Sequence, residues 1–256
     1  MDRTSRIVAI TLVCIIFMGA SSEASSYRNI FSCTYTDYDG AGSSRVFEDA
    51  FITNLRQSVS LLVKAYRDER STWNNTILTV GPVIVIDHHH YVEFTYGYGF
   101  DSDNRKTHHI AFEANREMPG YLLNIGVRHS IYPNYSFTVA STGLRYNLNQ
   151  RISLWGKIFA SLDSDNNFDQ AYWIEGSYSF FRNYTLSLGT TGGNRLYSPE
   201  YETIYGGKAD MSFRSILGRL GYEITERLSV RYQFETITRQ SKYNDRKNII
   251  IIDAHF

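Results

Sequence analysis

The sequence predicts an all-β fold, a transmembrane antiparallel up-and-down β-barrel of about 14 strands, or alternatively about 12. Three observations predict it. Apolar and polar residues alternate with a period of two through most of the chain after residue 25, which is typical of strands with one apolar face. Short and longer connections alternate between these strands. Aromatic residues, 15% of the chain, gather at strand ends, as in the girdles of outer-membrane barrels.

The first residues of the chain predict export. Two arginines precede an apolar run at residues 7–18, and small residues follow up to Ala24. A basic start, a short apolar core and a small-residue end are typical of a cleaved secretory signal peptide. The run is shorter than the about 20 apolar residues that a membrane-spanning helix needs. We therefore predict a signal peptide at residues 1–24 and an outer-membrane barrel domain at residues 25–256.

The alternation defines the strands in chain order. It is cleanest after residue 227, where Leu228 and Val230 share one face and Ser229 and Arg231 share the other. It slips in the first three strands and in the eighth. The predicted strands are residues 27–37, 45–55, 58–67, 73–86, 91–100, 107–117, 121–131, 135–147, 151–163, 169–181, 184–195, 208–224, 228–240 and 247–256.

The connections between these strands fall into two sets that alternate along the chain. The short set is residues 56–57, 87–90, 118–120, 148–150, 182–183 and 225–227. The longer and more polar set is residues 38–44, 68–72, 101–106, 164–168, 196–207 and 241–246, with the short 132–134 as an exception. This asymmetry predicts periplasmic turns at one end of the barrel and outward-facing loops at the other.

A soluble lipocalin-like barrel or a β-sandwich would also show alternating strands. However, about 14 strands exceed the about 8 that close a barrel around a solid core. The polar face also mixes long charged side chains with glycine, which favours a wide, wet lumen. These features favour a barrel in the outer membrane of a Gram-negative-type bacterium.

Aromatic residues beside the short turns predict contacts with the membrane interface. The predicted membrane-interface anchors are Tyr91, Tyr121, Tyr184, Tyr222 and Phe256. The last strand must pair with the first, because a membrane barrel leaves no strand edge open. Its aromatic end resembles the signature that the outer-membrane assembly machinery recognises. We expect a monomer whose partners are that machinery, outer-membrane lipid and lipopolysaccharide.

Several fragments resemble the YaiO-like outer-membrane β-barrel family. Residues 36–38, followed by a glycine-rich loop that contains an arginine, resemble the first hairpin of that family. Residues 199–200 and 205–206 resemble its long late loop, and the terminal Phe256 fits its aromatic ending. The resemblance implies an outer-membrane barrel, in some cases beside surface-glycan genes. It implies no catalytic residue.

Histidine-containing motifs raise a metal hypothesis and an enzyme hypothesis. Residues 87–90 are Asp-His-His-His, but a short turn spreads neighbouring side chains apart, and the next pair, residues 108–109, lies at the far end of the barrel. The adjacent His129 and Ser130 point to opposite faces and form no triad. The 26 basic and 26 acidic residues balance, which gives no sign of nucleic-acid binding. We predict no enzyme, metal, cofactor or nucleic acid, with a lipid-modifying enzyme as the less favoured alternative.

Charged residues on the polar face predict the wall of the lumen. The predicted pore-lining residues are Lys157, Glu175, Arg128, Arg219, Glu223, Arg231, Glu235 and Asp253. We expect Lys157 to lie opposite Glu175. We also expect Arg231 to lie opposite Asp253. Facing acids and bases select solutes by size and charge, so the sequence predicts a passive, porin-like channel for small polar solutes. The alternative is a non-conducting structural or interaction barrel linked to surface-glycan export.

Overall fold

The computed structural model shows one closed β-barrel. It describes residues 27–39, 42–70, 74–101, 105–181, 183–194, 212–239 and 243–256. Fourteen antiparallel strands lie within these ranges, and the first strand pairs with the last. The predicted count is confirmed and the smaller alternative is wrong. The predicted signal peptide lies outside the described residues. Within the described residues, no helix is long and apolar enough to cross a membrane.

The strands follow one another around the barrel in chain order. Their bounds are β1 Tyr27–Tyr38, β2 Gly42–Arg56, β3 Val59–Arg70, β4 Asn74–Val85, β5 His90–Asp101, β6 Lys106–Met118, β7 Tyr121–Ile131, β8 Ser136–Asn147, β9 Ile152–Asp163, β10 Phe168–Phe180, β11 Tyr184–Gly193, β12 Phe213–Thr225, β13 Leu228–Arg239 and β14 Tyr243–His255. They agree with the predicted strands to within a few residues, except that β12 was expected to start at residue 208. Residues 208–211 lie outside the described part of the chain.

Alternation divides the side chains of most strands into an apolar exterior and a polar interior. Exposed apolar side chains on the exterior of β4–β14 include Leu78, Phe94, Phe112, Ile125, Leu144, Ile158, Ile174, Leu188, Ile216, Leu220, Phe234 and Ile250. Buried polar side chains on the interior include Asn75, Thr95, Asn124, Ser161, Glu175, Ser187 and Gln233. A soluble barrel or sandwich has the opposite polarity, so both of those alternatives are wrong and the fold is that of an outer-membrane barrel.

The first three strands depart from this polarity. In their part of the interior, Val46, Tyr66 and Ile77 form a buried apolar cluster. On the exterior, Asn29 Nδ2 donates a 2.7 Å hydrogen bond to Asp49 Oδ1. Apolar residues therefore occupy both faces here, which is why the sequence alternation slips in β1–β3.

The connections differ less in length than the sequence predicts. We call the end of the barrel that holds Tyr27 and Phe256 the turn end; its six connections are two to four residues long. At the opposite loop end, the connections are three or four residues long, except for residues 194–212. The predicted loops 38–44 and 241–246 are largely strand. Backbone ladders continue beyond the apolar band because their hydrogen bonds do not depend on side-chain polarity.

The pairing of β1 with β14 closes the barrel, as predicted. At the turn end, the backbone N–H of Phe256 donates a 2.9 Å hydrogen bond to the Tyr27 carbonyl oxygen, and the two rings stack with centroids 5.5 Å apart. Inside, Arg28 donates to both oxygens of Asp253 at 2.9 and 2.7 Å, and Arg231 Nη2 donates to Asp253 Oδ2 at 3.0 Å. We call these five residues the seam.

Candidate functional site

Two cavities occupy the interior of the barrel. The central cavity has a volume of about 610 Å³ and is lined by side chains from most of the strands. The turn-side cavity has a volume of about 950 Å³ and extends to turn residues such as Asn149 and Glu226. Arg219 lines both cavities. Its side chain therefore stands at the boundary between them.

The structure places all eight predicted pore-lining residues on the cavity walls. Arg128, Lys157 and Glu235 line the central cavity. The turn-side cavity is lined by Glu175, Glu223, Arg231 and Asp253. Arg219 completes the set. The sequence alternation therefore identified the interior face of these strands, and the role of the residues in solute passage stays a prediction.

The predicted pairing of Lys157 with Glu175 is wrong. Lys157 lies opposite Trp173 on β10, and Glu175 lies opposite Trp155 on β9. Lys157 Nζ instead lies 3.3 Å from Glu113 Oε1 on β6.

The cause is the turn between β9 and β10. Asp163 Oδ1 accepts hydrogen bonds from the backbone N–H groups of Asp165 at 2.9 Å and Asn167 at 2.8 Å. Asn166 takes a left-handed φ of 63°, a conformation that asparagine tolerates better than most residues. This turn sets a register different from the one expected for a hairpin centred on Asn166.

The predicted position of Arg231 opposite Asp253 is also wrong, although the two residues are in contact. Arg231 lies opposite Ile251, and its guanidinium reaches Asp253 diagonally at 3.0 Å. Long side chains bridge diagonal positions of a sheet readily. The expected ion pair therefore forms in a different register.

The boundary between the cavities is a cluster of polar and aromatic side chains. Arg219 Nη1 donates to Glu175 Oε1 at 3.1 Å, and Arg219 Nε and Nη2 donate to Gln233 Oε1 at 3.0 and 2.7 Å. The rings of Trp155 and Trp173 meet edge to face, with centroids 4.7 Å apart. Trp155 lines the turn-side cavity and Trp173 the central cavity. We call these five residues the constriction.

A glycine on β11 permits the close packing of the constriction. Gly189 lies opposite Glu175 on one side and Leu217 on the other. A Cβ atom at this position would lie 2.7 Å from the Ile174 carbonyl oxygen and 3.3 Å from Glu175 Cβ. A side chain at this position would therefore collide with the backbone of β10 beside Glu175.

Two polar atoms of the constriction have no hydrogen-bond partner among the described residues. They are Glu175 Oε2 and Trp155 Nε1, and both are buried. The Glu175 side chain is only 5% exposed. Buried polar groups are nearly always hydrogen-bonded. Other interior atoms, such as Asn124 Oδ1 and Arg231 Nε, also have no described partner, and the constriction holds two such atoms on directly opposite residues. The two tryptophans were not among the predicted pore-lining residues, although Trp155 and Trp173 occupy the same alternating positions as Lys157 and Glu175.

Four of the five predicted interface anchors lie in an aromatic girdle at the turn end. Tyr184 and Tyr222 face each other across β11 and β12 with centroids 4.7 Å apart. Tyr121 lies opposite Tyr146, and Phe256 stacks on Tyr27 as described above.

Tyr91 departs from this arrangement. It lies opposite Asn115, whose side chain is buried in the interior. Two residues further along β5, Glu93 lies opposite Glu113 on the same face. Since residues directly opposite in an antiparallel pair share a face, Tyr91 belongs to the interior wall. The prediction that Tyr91 contacts the membrane interface is wrong, because the alternation of β5 directs its side chain to the interior.

The histidines of the described residues do not assemble a metal site. In the turn before β5, Asp87 Oδ1 accepts from the backbone N–H groups of His89 at 2.7 Å and His90 at 2.9 Å. These contacts and the imidazole of His90 lower the pKa of Asp87 to about 2. Within the described ranges, no group of three or more His, Cys, Asp or Glu side chains is arranged to hold a metal ion.

One serine–histidine contact lies in the interior. His109 Nδ1 lies 3.0 Å from Ser130 Oγ, and both side chains are buried. The other ring nitrogen of His109 has no hydrogen-bond partner among the described residues, so no acid orients this imidazole as in a triad. The contact also faces the lumen rather than the lipid.

The known proteins that resemble this chain are similar to it in fold. No family model and no curated protein matches it. The CymD monoaromatic hydrocarbon channel has a TM-score of 0.61 at 6% identity, covering 92% of this chain and 88% of that chain. An outer-membrane channel of Pseudomonas putida F1 has a TM-score of 0.56 at 10% identity, covering 92% and 96%. Omp33 of Acinetobacter baumannii has a TM-score of 0.57 at 12% identity, covering 90% and 99%.

These identities establish a shared fold and no closer relation. Together with the apolar exterior and the polar, hollow interior, they define the class of the protein as an outer-membrane β-barrel. The activity of the protein depends on which molecules its interior can admit.

Proposed function

We propose that the barrel is a passive outer-membrane channel for small polar solutes, with the constriction as its selective point. The observation that supports this most is the pair of cavities that meet at Arg219. A solute that moves from one cavity to the other must pass the Arg219–Glu175 ion pair and the two tryptophans. Interior charges and pore dimensions are the means by which membrane channels select solutes.

The charge pattern of the lumen supports passage of uncharged polar solutes over ions. Basic side chains on the wall of the central cavity are Lys64, Arg128, Lys157, Arg219 and Lys247. Acidic side chains on the same wall are Glu48, Glu93, Glu113 and Glu235. Acids and bases nearly balance, and Lys64 and Lys157 lie 3.7 and 3.3 Å from their acidic partners. We therefore expect small currents and weak ion selectivity.

A non-conducting structural or interaction barrel is the second candidate. The loop end of the interior favours it, because Asp68, Asp245 and Phe137 are at most 1% exposed there. Arg239 Nη2 also donates to Asp245 Oδ1 at 2.7 Å. A lumen filled with packed and paired side chains at one end would pass no solute. A YaiO-like protein with a surface-glycan role would belong to this candidate.

We propose further that the barrel has no enzymatic role and acts as a monomer. Among the described residues, no acid orients the lumen-facing His109–Ser130 contact. Lipid and lipopolysaccharide would contact the apolar exterior. The assembly machinery would recognise the last strand.

Single-channel recording of the refolded protein in planar bilayers tests the channel proposal. We expect small, resolved current steps from the unmodified protein and larger steps from Arg219→Ala, because this substitution removes the side chain that separates the cavities. Arg214→Ala is the matched control, since Arg214 lies on the same strand with an exposed side chain on the opposite face. Unchanged steps in Arg219→Ala would contradict the assigned constriction, and no steps from either protein would favour the non-conducting barrel.

A further inference from the structure

The constriction has the chemistry of a saccharide site. Resting on the proposed channel function, we propose that the constriction binds the hydroxylated ring of a neutral sugar during passage. The sugar would lie against Trp155 and Trp173 and exchange hydrogen bonds with Glu175 and Trp155.

The unpartnered atoms of the constriction supply one donor and one acceptor. Trp155 Nε1 can only donate a hydrogen bond, and an ionised Glu175 Oε2 can only accept one. Their residues lie directly opposite each other on β9 and β10, and both atoms are buried without a partner among the described residues. Leaving such a group unsatisfied destabilises the structure. A ligand that accepts from one atom and donates to the other removes both penalties.

A hydroxyl group does both, because it carries one donor hydrogen and two acceptor lone pairs. A ring with several hydroxyls can satisfy Trp155 and Glu175 together. Its remaining hydroxyls can reach the guanidinium of Arg219 and the amide of Gln233, which already form one hydrogen-bonded set with Glu175. The ligand would enter the 3.1 Å Arg219–Glu175 contact and replace part of it.

The tryptophan pair supplies the apolar surface that a sugar ring needs. A sugar presents C–H groups on its ring faces and hydroxyls at its edge. The edge-to-face arrangement of Trp155 and Trp173, with centroids 4.7 Å apart, forms a corner with polar groups beside it. Pockets that combine aromatic walls with a few placed polar groups are typical of small-molecule sites.

Other solute classes fit the constriction less well. A simple ion gains little, because Arg219 and Glu175 already neutralise each other. An aromatic hydrocarbon could pack on the tryptophans, but it would leave Trp155 Nε1 and Glu175 Oε2 without partners. A flexible polyether such as triethylene glycol can donate only from its two terminal hydroxyls, and it has no ring face to lie against the tryptophans. The donor–acceptor pair therefore selects a polyhydroxylated solute.

Two measurements on the full refolded chain test the proposal. The first is the block of single-channel current by glucose, compared with triethylene glycol as a solute of similar size without a hydroxylated ring. The second is the change in tryptophan fluorescence of the detergent-solubilised protein on titration with glucose, which needs no conduction. We expect glucose to block the current and alter the fluorescence at concentrations where triethylene glycol does neither.

Substitutions in the constriction localise the site. Trp155→Phe keeps an aromatic ring and removes the N–H donor, so we expect the half-blocking glucose concentration to rise about tenfold, as the loss of one hydrogen bond predicts. Glu175→Gln should also raise it, because a neutral amide replaces the charged acceptor and neutral hydrogen bonds are about half as strong as charge-assisted ones. Tyr178→Phe is the matched control, since it removes one hydroxyl from an exposed aromatic residue on the exterior of β10 and should leave the block unchanged.

The possible failures are distinguishable. Absence of current steps with a glucose-dependent fluorescence change whose half-saturating concentration Glu175→Gln raises would support the site and overturn the channel. Current steps that glucose and triethylene glycol block equally would overturn the saccharide site and retain the channel. Equal glucose affinity in Trp155→Phe and Tyr178→Phe would also overturn the site.

Discussion

The seam and the constriction each contain a buried carboxylate in contact with arginine, but the hydrogen bonding of the two carboxylates differs. At the seam, both oxygens of Asp253 accept from Arg28, and one also accepts from Arg231. At the constriction, Glu175 Oε1 accepts from Arg219 and Oε2 accepts from no described residue. The two side chains are similarly buried, at 6% and 5% exposure. The two carboxylates are therefore alike in burial and differ in the number of oxygens that accept a hydrogen bond.

The two carboxylates also differ in the strands that they join. Asp253 ties together β1, β13 and β14, and so secures the two strands that close the barrel. Glu175 and Arg219 reach across β11, within a sheet that β9–β13 already complete through their own backbone ladders. Loss of the first should unfold part of the structure, and loss of the second should alter the lumen.

The largest expected effect is that of Asp253→Asn. The substitution leaves Arg28 and Arg231 without their shared carboxylate, which should destabilise the barrel by about 2 kcal/mol; the partial exposure of both arginines lowers this from the loss typical of fully buried pairs. Thermal unfolding in detergent and the heat-dependent gel shift measure it. Glu226→Gln, at an exposed turn of the same end, is the matched control. Equal melting of the two variants would contradict the structural role of the seam.

Glu175→Gln should change stability less and ion selectivity more. Its amide oxygen can still accept from Arg219, so we expect a loss of no more than about 1 kcal/mol. The positive charge of Arg219 is then no longer neutralised, and selectivity should move toward anions. The shift should be larger at low salt, where the Debye length is about 30 Å, than at moderate salt, where it is about 10 Å. Reversal potentials measured at both salt concentrations test this; an unchanged selectivity would remove Glu175 from the conduction path.

The smallest expected effect is that of Asp87→Ala in the exposed turn before β5. The folded pKa of Asp87 is lowered to about 2 by the N–H groups of His89 and His90 and by the His90 imidazole. A lowered pKa contributes stability above the unfolded pKa, and this stability is lost as pH falls through the folded pKa. The difference in melting temperature between the variant and the unmodified protein should therefore be small at pH 7 and disappear near pH 2. A difference that grows with acidity would contradict the assigned cause.

Much of the barrel could be predicted because strand periodicity records the two environments of each strand. It predicted the interior position of Arg128, Glu235 and the other charged residues, because a lipid-facing charge is costly. The prediction for Tyr91 failed because it relied on the general preference of tyrosine for the membrane interface. The alternation of its own strand places Tyr91 in the interior.

The contacts within the lumen could not be predicted in the same way. The register of β9 and β10 depends on side-chain hydrogen bonds in the turn that Asp163 organises, and a shift of one position in the turn centre changes every cross-strand pair. The contact of Lys157 with Glu113 joins β6 to β9, and no pattern along a single strand contains it. The constriction depends on such contacts, which is why its tryptophans were missed.

The closure of the barrel also constrains how the chain reaches this structure. Arg28 and Asp253, which meet at the seam, are 225 positions apart in the chain. Nearly the whole domain must be synthesised, exported and arranged before the first strand finds its partner, and contacts of such long range form slowly. Until then, the edges of β1 and β14 offer unpaired backbone groups to any other strand. The chain therefore stays open to edge-to-edge aggregation until the last step of its folding, when β1 pairs with β14.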